Sequence, residues 1–212
     1  WNGRKGRTVA LHAVNMTDLE AALASSRTEA SLILDQVNFV QRELKNTAFV
    51  GETAEQLAEE MNAKMATFVA TTYDNVDELL RVIVNNMNVV VTKLGGAPWA
   101  NTPVERGAAV NAEALRISAN QDYEIDTEEM AGFATKVDEW FEAIATSYQN
   151  IRGTIAEGTP GWQGPEKITT VTAVSDAVET IVGNAGSETG VRGVGASLSG
   201  RLRDQVAIME SA

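Results

Sequence analysis

Residues 17–57, TDLEAALASSRTEASLILDQVNFVQRELKNTAFVGETAEQL, contain a helix, a corner and the start of a second helix. Thr17-Asp18-Leu19-Glu20 has the spacing of a capping box, in which a hydroxyl and a glutamate satisfy the orphan N–H groups of a first turn. From there Leu19, Leu23, Ser26, Ala30, Ile33, Val37, Val40 and Leu44 recur in steps of four and three. That spacing predicts a helix with a narrow apolar seam, suited to coiled-coil-like packing. Ser26 and Ala30 are small enough for a neighbouring helix to approach closely. The pattern stops near Thr47, and Phe49-Val50-Gly51 reads as a tight corner: the ring plugs the end of the bundle and the glycine lets the backbone turn back.

Thr53-Ala54-Glu55-Gln56 repeats the capping-box spacing, and a longer seam follows through Leu57, Met61, Met65, Phe68, Val76, Leu79, Ile83, Met87, Val90 and Leu94. Gly95-Gly96 and Pro98 stop it. Two long amphipathic helices joined by a short loop are expected to pack antiparallel. The second is longer by about 11 residues, or roughly 16 Å of helix. If the helices pair from the Phe49 corner, an apolar surplus near Leu79–Leu94 is therefore expected beyond the cover of the first. Met61, Met65, Phe68, Ile83 and Met87 on this stripe are core packing by default and, where uncovered, the candidate partner-packing residues.

Residues 97–125 read as a connector with one short helix on Val104, Ala108, Ala112 and Leu115, and Trp99 is expected to fold back onto the bundle. Asp126-Thr127-Glu128-Glu129 opens a third long helix with the seam Met130, Phe133, Val137, Trp140 with Phe141, Ile144, Tyr148, Ile151 and Ile155. Gly158 and Pro160 close it. Trp162-Gln163-Gly164 is a second aromatic-x-Gly corner, and Pro165 suits the first position of a following helix. Residues 166–182 have helical spacing at Ile168, Val171, Val174, Val178 and Ile181, although their β-branched crowding leaves a strand open. Gly183–Gly195 reads as a flexible glycine-rich loop, and Leu198, Leu202, Val206 and Met209 mark a final short helix.

The predicted fold is thus all-α: two long antiparallel hairpins with a connector and a short C-terminal helix. The divisions are a basic arm at 1–16, hairpins at 17–96 and 126–183, the connector at 97–125 between them, and a tail at 184–212.

Composition narrows the function. The 212 residues are 44% hydrophobic and 22% charged, which fits a globular chain with a real core. A net charge of −12 argues against general nucleic-acid binding, because an acidic surface repels phosphate. The exception is Arg4, Lys5 and Arg7, a candidate contact arm for phosphate or an acidic partner, with a solvated tail as the plainer reading. No apolar run approaches the ~18 residues of a membrane span, and no charged-then-apolar leader is visible in the residues that follow Trp1.

Cysteine is absent and His12 is the single histidine, which excludes thiolate chemistry, a zinc site of the usual ligands and a Ser-His-Asp triad within one chain. Gly190-Val191-Arg192-Gly193-Val194-Gly195 lacks the lysine-hydroxyl pair of a phosphate loop. The carboxylates of Glu55, Glu59 and Glu60, of Asp74, Asp77 and Glu78, and of Asp138, Glu139 and Glu142 fall mainly off the seams and read as solvated faces. No catalytic residue, metal ligand or cofactor is expected. Function is expected to lie in surfaces that pack against protein partners or further copies.

The corners at Phe49, Gly51 and Trp162, Gly164, each set between two helical seams, resemble the WXG-type family of small helical hairpins exported by bacterial type VII secretion systems. In that family a helix, a Trp-x-Gly corner and a second helix form a module of about a hundred residues that pairs with a sister module. The resemblance covers about three quarters of this chain and implies a tandem that acts as a fused pseudo-dimer, secreted or displayed at the cell surface. The family's export signal, Tyr-x-x-x-Asp or Glu, is matched in its letters by Tyr73 and Asp77, which fall in mid-helix. A second likeness, confined to Trp1-Asn2-Gly3 and the basic residues after it, is to neck and tail proteins of phages that infect actinobacteria. It implies a virion subunit.

Overall fold

The computed structural model describes residues 14–46, 54–105 and 127–211, and within these the chain is helical with no strand. The helices are α1 (Met16–Asn46), α2 (Ala54–Lys93), α3 (Thr127–Ala156), α4 (Pro165–Val182) and α5 (Val191–Ser211). Residues 47–53, with Phe49, Gly51 and Thr53, and residues 106–126 lie outside the described residues.

Side-chain pairs fix the arrangement. Along α1, Asp18, Glu29, Gln36 and Phe39 meet Gly161, Asn150, Ser147 and Trp140. Numbers rise on one side as they fall on the other, so α1 and α3 are antiparallel. Along α2, Glu60, Lys64 and Lys93 meet Arg201, Ser197 and Glu166, so α2 runs antiparallel to α4 and α5 taken as one interrupted arm. Glu142 and Asp138 of α3 meet Arg192 and Arg203, which makes α3 antiparallel to α5 as well. Asn38 of α1 donates to the Tyr73 hydroxyl of α2 at 3.4 Å, consistent with an antiparallel first hairpin.

The result is a four-cornered bundle: α1, α2, the α4–α5 arm and α3 in circuit, each antiparallel to its neighbours. The backbones of α2 and α3 do not approach. They meet only through side chains across the centre, where the rings of Phe68 and Phe141 lie 4.9 Å apart. The core is continuous from Leu19 to Leu202, so the two hairpins bury their seams on one another.

The N-terminus of α1 differs from its expected cap. Asn15, not Thr17, caps the helix: its Oδ1 accepts from the Thr17 N–H at 3.0 Å and its Nδ2 donates to Asp18. An amide two residues earlier reaches the orphan donors first, as the strong preference for Asn at this position allows. Asp18 accepts from the Gly161 N–H at 2.8 Å and joins the start of α1 to the Trp162 corner. Asp18→Ala is expected to cost about 1–2 kcal/mol, read as a shift in the denaturation midpoint with an unchanged m-value.

The end of α2 follows expectation. Gly96 N–H bonds to the Val91 carbonyl at 2.9 Å and Gly95 N–H to that of Thr92 at 3.0 Å. With Gly95 at φ 78, this is the Schellman termination that only glycine enters without strain.

Residues 166–182 are helix, as their spacing favoured, but the buried face is Thr170, Val174, Val178 and Val182, and Ile168 of the expected seam is 69% exposed. One expectation is corrected. The glycine-rich stretch is only partly a loop. Residues 191–195 form the first turns of α5, because Gly193 and Gly195 allow the helix to run close to its surroundings. A β-carbon on Gly193 would overlap the Ser187 carbonyl, and one on Gly195 would lie 2.5 Å from Phe141 Cβ. What remains, residues 184–189, is a small loop closed at its neck, where Gly183 and Gly190 touch.

Candidate functional site

The second corner is a built structure. Thr159, itself fully buried, donates its hydroxyl to the Ile155 carbonyl, and its own carbonyl accepts from Trp162 N–H and from Lys167 Nζ. Gly164 sits at φ 125, ψ 179 and Pro165 starts α4. This backbone turns the Trp162 side chain inward, to 1% exposure, at the end of the bundle where α1 begins and α2 finishes. Among the described residues its indole Nε1 has no hydrogen-bond partner, so the ring acts through its bulk. The end of α1 and the start of α2, flanking the first corner, lie at the opposite end of the bundle, beside Arg201 of α5.

The stripe on α2 is not left for a partner. Met61, Met65, Phe68, Ile83 and Met87 are each no more than 5% exposed within this one chain. The surplus expected at Leu79–Leu94 is not there: Asn38 meets Tyr73 and α1 begins where α2 finishes, so α1 reaches that end, while the start of α2 faces α5 through Glu60–Arg201. The end of α2 is covered further by α4, pinned by Lys93–Glu166 at 2.6 Å, and by the connector, which doubles back along the helix. Asn88 grips the Trp99 backbone at both N–H (2.7 Å) and carbonyl (2.9 Å), Asn85 accepts from Asn101, and Asp77 accepts from Val104 N–H at 2.7 Å. Trp99 does fold back, half-buried against the core.

Tyr73 and Asp77 therefore lie in mid-α2 with separate structural roles, one facing Asn38 of α1 and the other holding the connector. Shallow clefts of about 230 and 360 Å³ flank the connector, and Arg27 lines both. Arg4, Lys5, Arg7 and His12 fall outside the described residues.

The acidic clusters divide by function. Glu78 pairs with Arg81 on its own helix, whereas Glu60, Asp138 and Glu142 bind Arg201, Arg203 and Arg192 of α5. Arg192 donates to both oxygens of Glu142 at 2.8 and 2.6 Å and holds that carboxyl below its ordinary range. The hydrogen bond from Arg201 does the same for Glu60. A carboxylate depressed in the folded state supports the fold above its unfolded pKa, near 4.5, and loses that support as pH falls through the lower folded value. Wild type is therefore expected to be more stable than Glu142→Gln above about pH 5, with the gap closing on acidification. Thermal midpoints of both proteins across that range check it.

Sequence reasoning passed over an aromatic group on the outer face between α1 and α3. Phe39 packs edge-on to Trp140 at 5.3 Å, and Phe133 packs edge-on to Trp140 at 5.7 Å. Phe39 is 39% exposed and lies off the α1 seam, while Phe133 and Trp140, assigned to the α3 seam, are only half-buried at its edge. The core face of α3 is Met130, Ala134, Val137 and Phe141. Leu32, one heptad before Phe39, is also exposed. Among the described residues no group of three or more histidine, cysteine or acidic side chains converges as a metal site, and no helix is long and apolar enough to cross a membrane.

No protein-family model, curated protein sequence or solved structure matches this chain.

Proposed function

We propose that this chain is a non-catalytic assembly module of the WXG type, in which two hairpins pair within one polypeptide as a fused pseudo-dimer. The observation that carries the reading is the placement of Trp162. An aromatic-x-Gly corner with its ring fully buried joins two helices, and the hairpin it makes packs its seam along the whole of the other hairpin. Because the seams are consumed internally, partners are met by outward surfaces, and among the described residues the Phe39, Phe133 and Trp140 face gathers three aromatic rings beside the exposed Leu32. Exposed aromatic clusters of this kind are where binding energy concentrates at interfaces.

The test is export by a bacterium that carries a type VII system. Wild type is expected in the medium, and Tyr73→Ala is expected to remain in the cell while folding normally by circular dichroism. Asp77 is a poorer probe, since its loss also frees the connector. Recovery of the chain in purified phage particles, with incorporation dependent on Arg4, Lys5 and Arg7, would replace the export reading with that of a virion subunit. The non-catalytic assembly role would stand in either case.

A further inference from the structure

We propose that the outer aromatic face of α1 and α3 docks a second copy of this chain, with the two α1 helices set antiparallel about a twofold axis near Phe39. The inference rests on the reading that this face meets a partner, and it names that partner.

The outward stripe of α1 is Leu32, Asp35, Phe39 and Arg42, in steps of three, four and three that keep all four on one side of the helix. Leu32 is 43% exposed, and Phe39, Asp35 and Arg42 are exposed with it. Beside this stripe α3 places Phe133, Lys136 and Trp140, again three and four residues apart, with Lys136 exposed. Phe39 and Phe133 both pack on Trp140, so the three rings hold one another in position. A partner therefore meets a preformed apolar surface and pays little to order it.

Charge decides what fits there. Elsewhere on the bundle surface cations and carboxylates find each other: Arg81 with Glu78, Lys93 with Glu166, and Arg192, Arg201 and Arg203 with Glu142, Glu60 and Asp138. The side chains of Asp35, Arg42 and Lys136 make no ion pair or hydrogen bond among the described residues. Asp35 precedes Phe39 by four residues and Arg42 follows it by three, about 6 and 4.5 Å along the helix axis. A twofold axis through Phe39, perpendicular to α1, brings Asp35 of each copy opposite Arg42 of the other to within one residue's rise, with the two Phe39 rings at the centre. One stripe then supplies both halves of the match, as an isologous contact requires. A uniformly acidic partner would meet Asp35 as a like charge, and a basic one would meet Arg42 so; a second copy satisfies both. Long-range repulsion between two chains of net charge −12 is screened beyond about 8 Å at physiological salt, and the short-range match governs.

Sedimentation equilibrium of the full-length chain at physiological salt, up to about 0.5 mM so that a weak contact also registers, tests this. A monomer–dimer equilibrium is expected. Asp35→Arg and Arg42→Asp each set like charges across both symmetric contacts, and each is expected to weaken the dimer about tenfold. Phe39→Glu is expected to abolish it. An equimolar mixture of Asp35→Arg with Arg42→Asp is expected to recover association as a heterodimer, because each reversed charge then faces an opposite one. All three positions are exposed, and unchanged circular dichroism checks that the variants fold. A wild type that stays monomeric, a dimer indifferent to Phe39→Glu, or a mixture that associates no better than either variant alone would overturn the proposal. So would a foreign protein that binds a monomeric wild type and is lost with Phe39→Glu. Tyr73-dependent export of a monomeric chain would remove the dimer and leave the export reading standing, whereas a dimer that is not exported would do the reverse.

Discussion

Trp162→Ala is expected to remove about 3–5 kcal/mol of stability, the cost of deleting a large ring from a packed interior. For a chain of this size that is a fall in melting temperature of roughly 6–20 °C. The ring is 1% exposed and closes the end of the bundle where α1 starts and α2 stops. Nothing nearby can collapse into the space easily, because Gly161 is tied to Asp18, Thr159 to Ile155, and Pro165 fixes the first turn of α4. The orphaned indole Nε1 sharpens the prediction. Since that donor makes no hydrogen bond among the described residues, Trp162→Phe removes a desolvated polar atom along with some volume, and it is expected to cost less than half as much as alanine. If phenylalanine were as damaging as alanine, the indole nitrogen would have a role that the geometry does not give it. Chemical denaturation of the two variants beside wild type decides the matter.

The parts of the fold legible in the sequence are those written in local periodicity. The seam Leu19 to Leu44 is buried almost position for position, and the Gly95-Gly96 stop produces the termination its residues imply. Long-range pairing is not written locally. Asp18 looks like an ordinary first-turn acid until Gly161, 143 residues away, is placed beside it. Asn15 outcompetes Thr17 as cap, which sequence spacing alone does not arbitrate. Glycine density suggested a loop through residue 195, whereas in α5 the same glycines are spaces for Ser187 and Phe141. A signal for the α5 clasp was nevertheless present: Arg192, Arg201 and Arg203 concentrate basic charge in a chain of net charge −12, opposite acidic residues that fall off the seams. Phe39 was invisible as a site, since a single aromatic outside a seam acquires meaning only when Trp140 is found against it.

The apolar stripe of α2 gives the sharpest contrast between a partner surface and a core. If Ile83 and Met87 were a docking face, replacing them with glutamate would release a partner and leave the monomer intact. Both are 0% exposed in the isolated chain, beneath a bundle that α1, α4 and the connector complete. A glutamate at either place must be buried unpaired or drag its helix outward, and each route costs on the order of several kcal/mol. Marginal proteins hold only about 5–15 kcal/mol in total. The double substitution Ile83→Glu and Met87→Glu is therefore expected to unfold the chain, seen as loss of the cooperative thermal transition by circular dichroism. Phe39→Glu, on the outer aromatic face, is expected to leave that transition nearly in place while weakening any partner contact made there. A folded, monomeric double variant would return the α2 stripe to the surface and undo the intramolecular pairing of the hairpins.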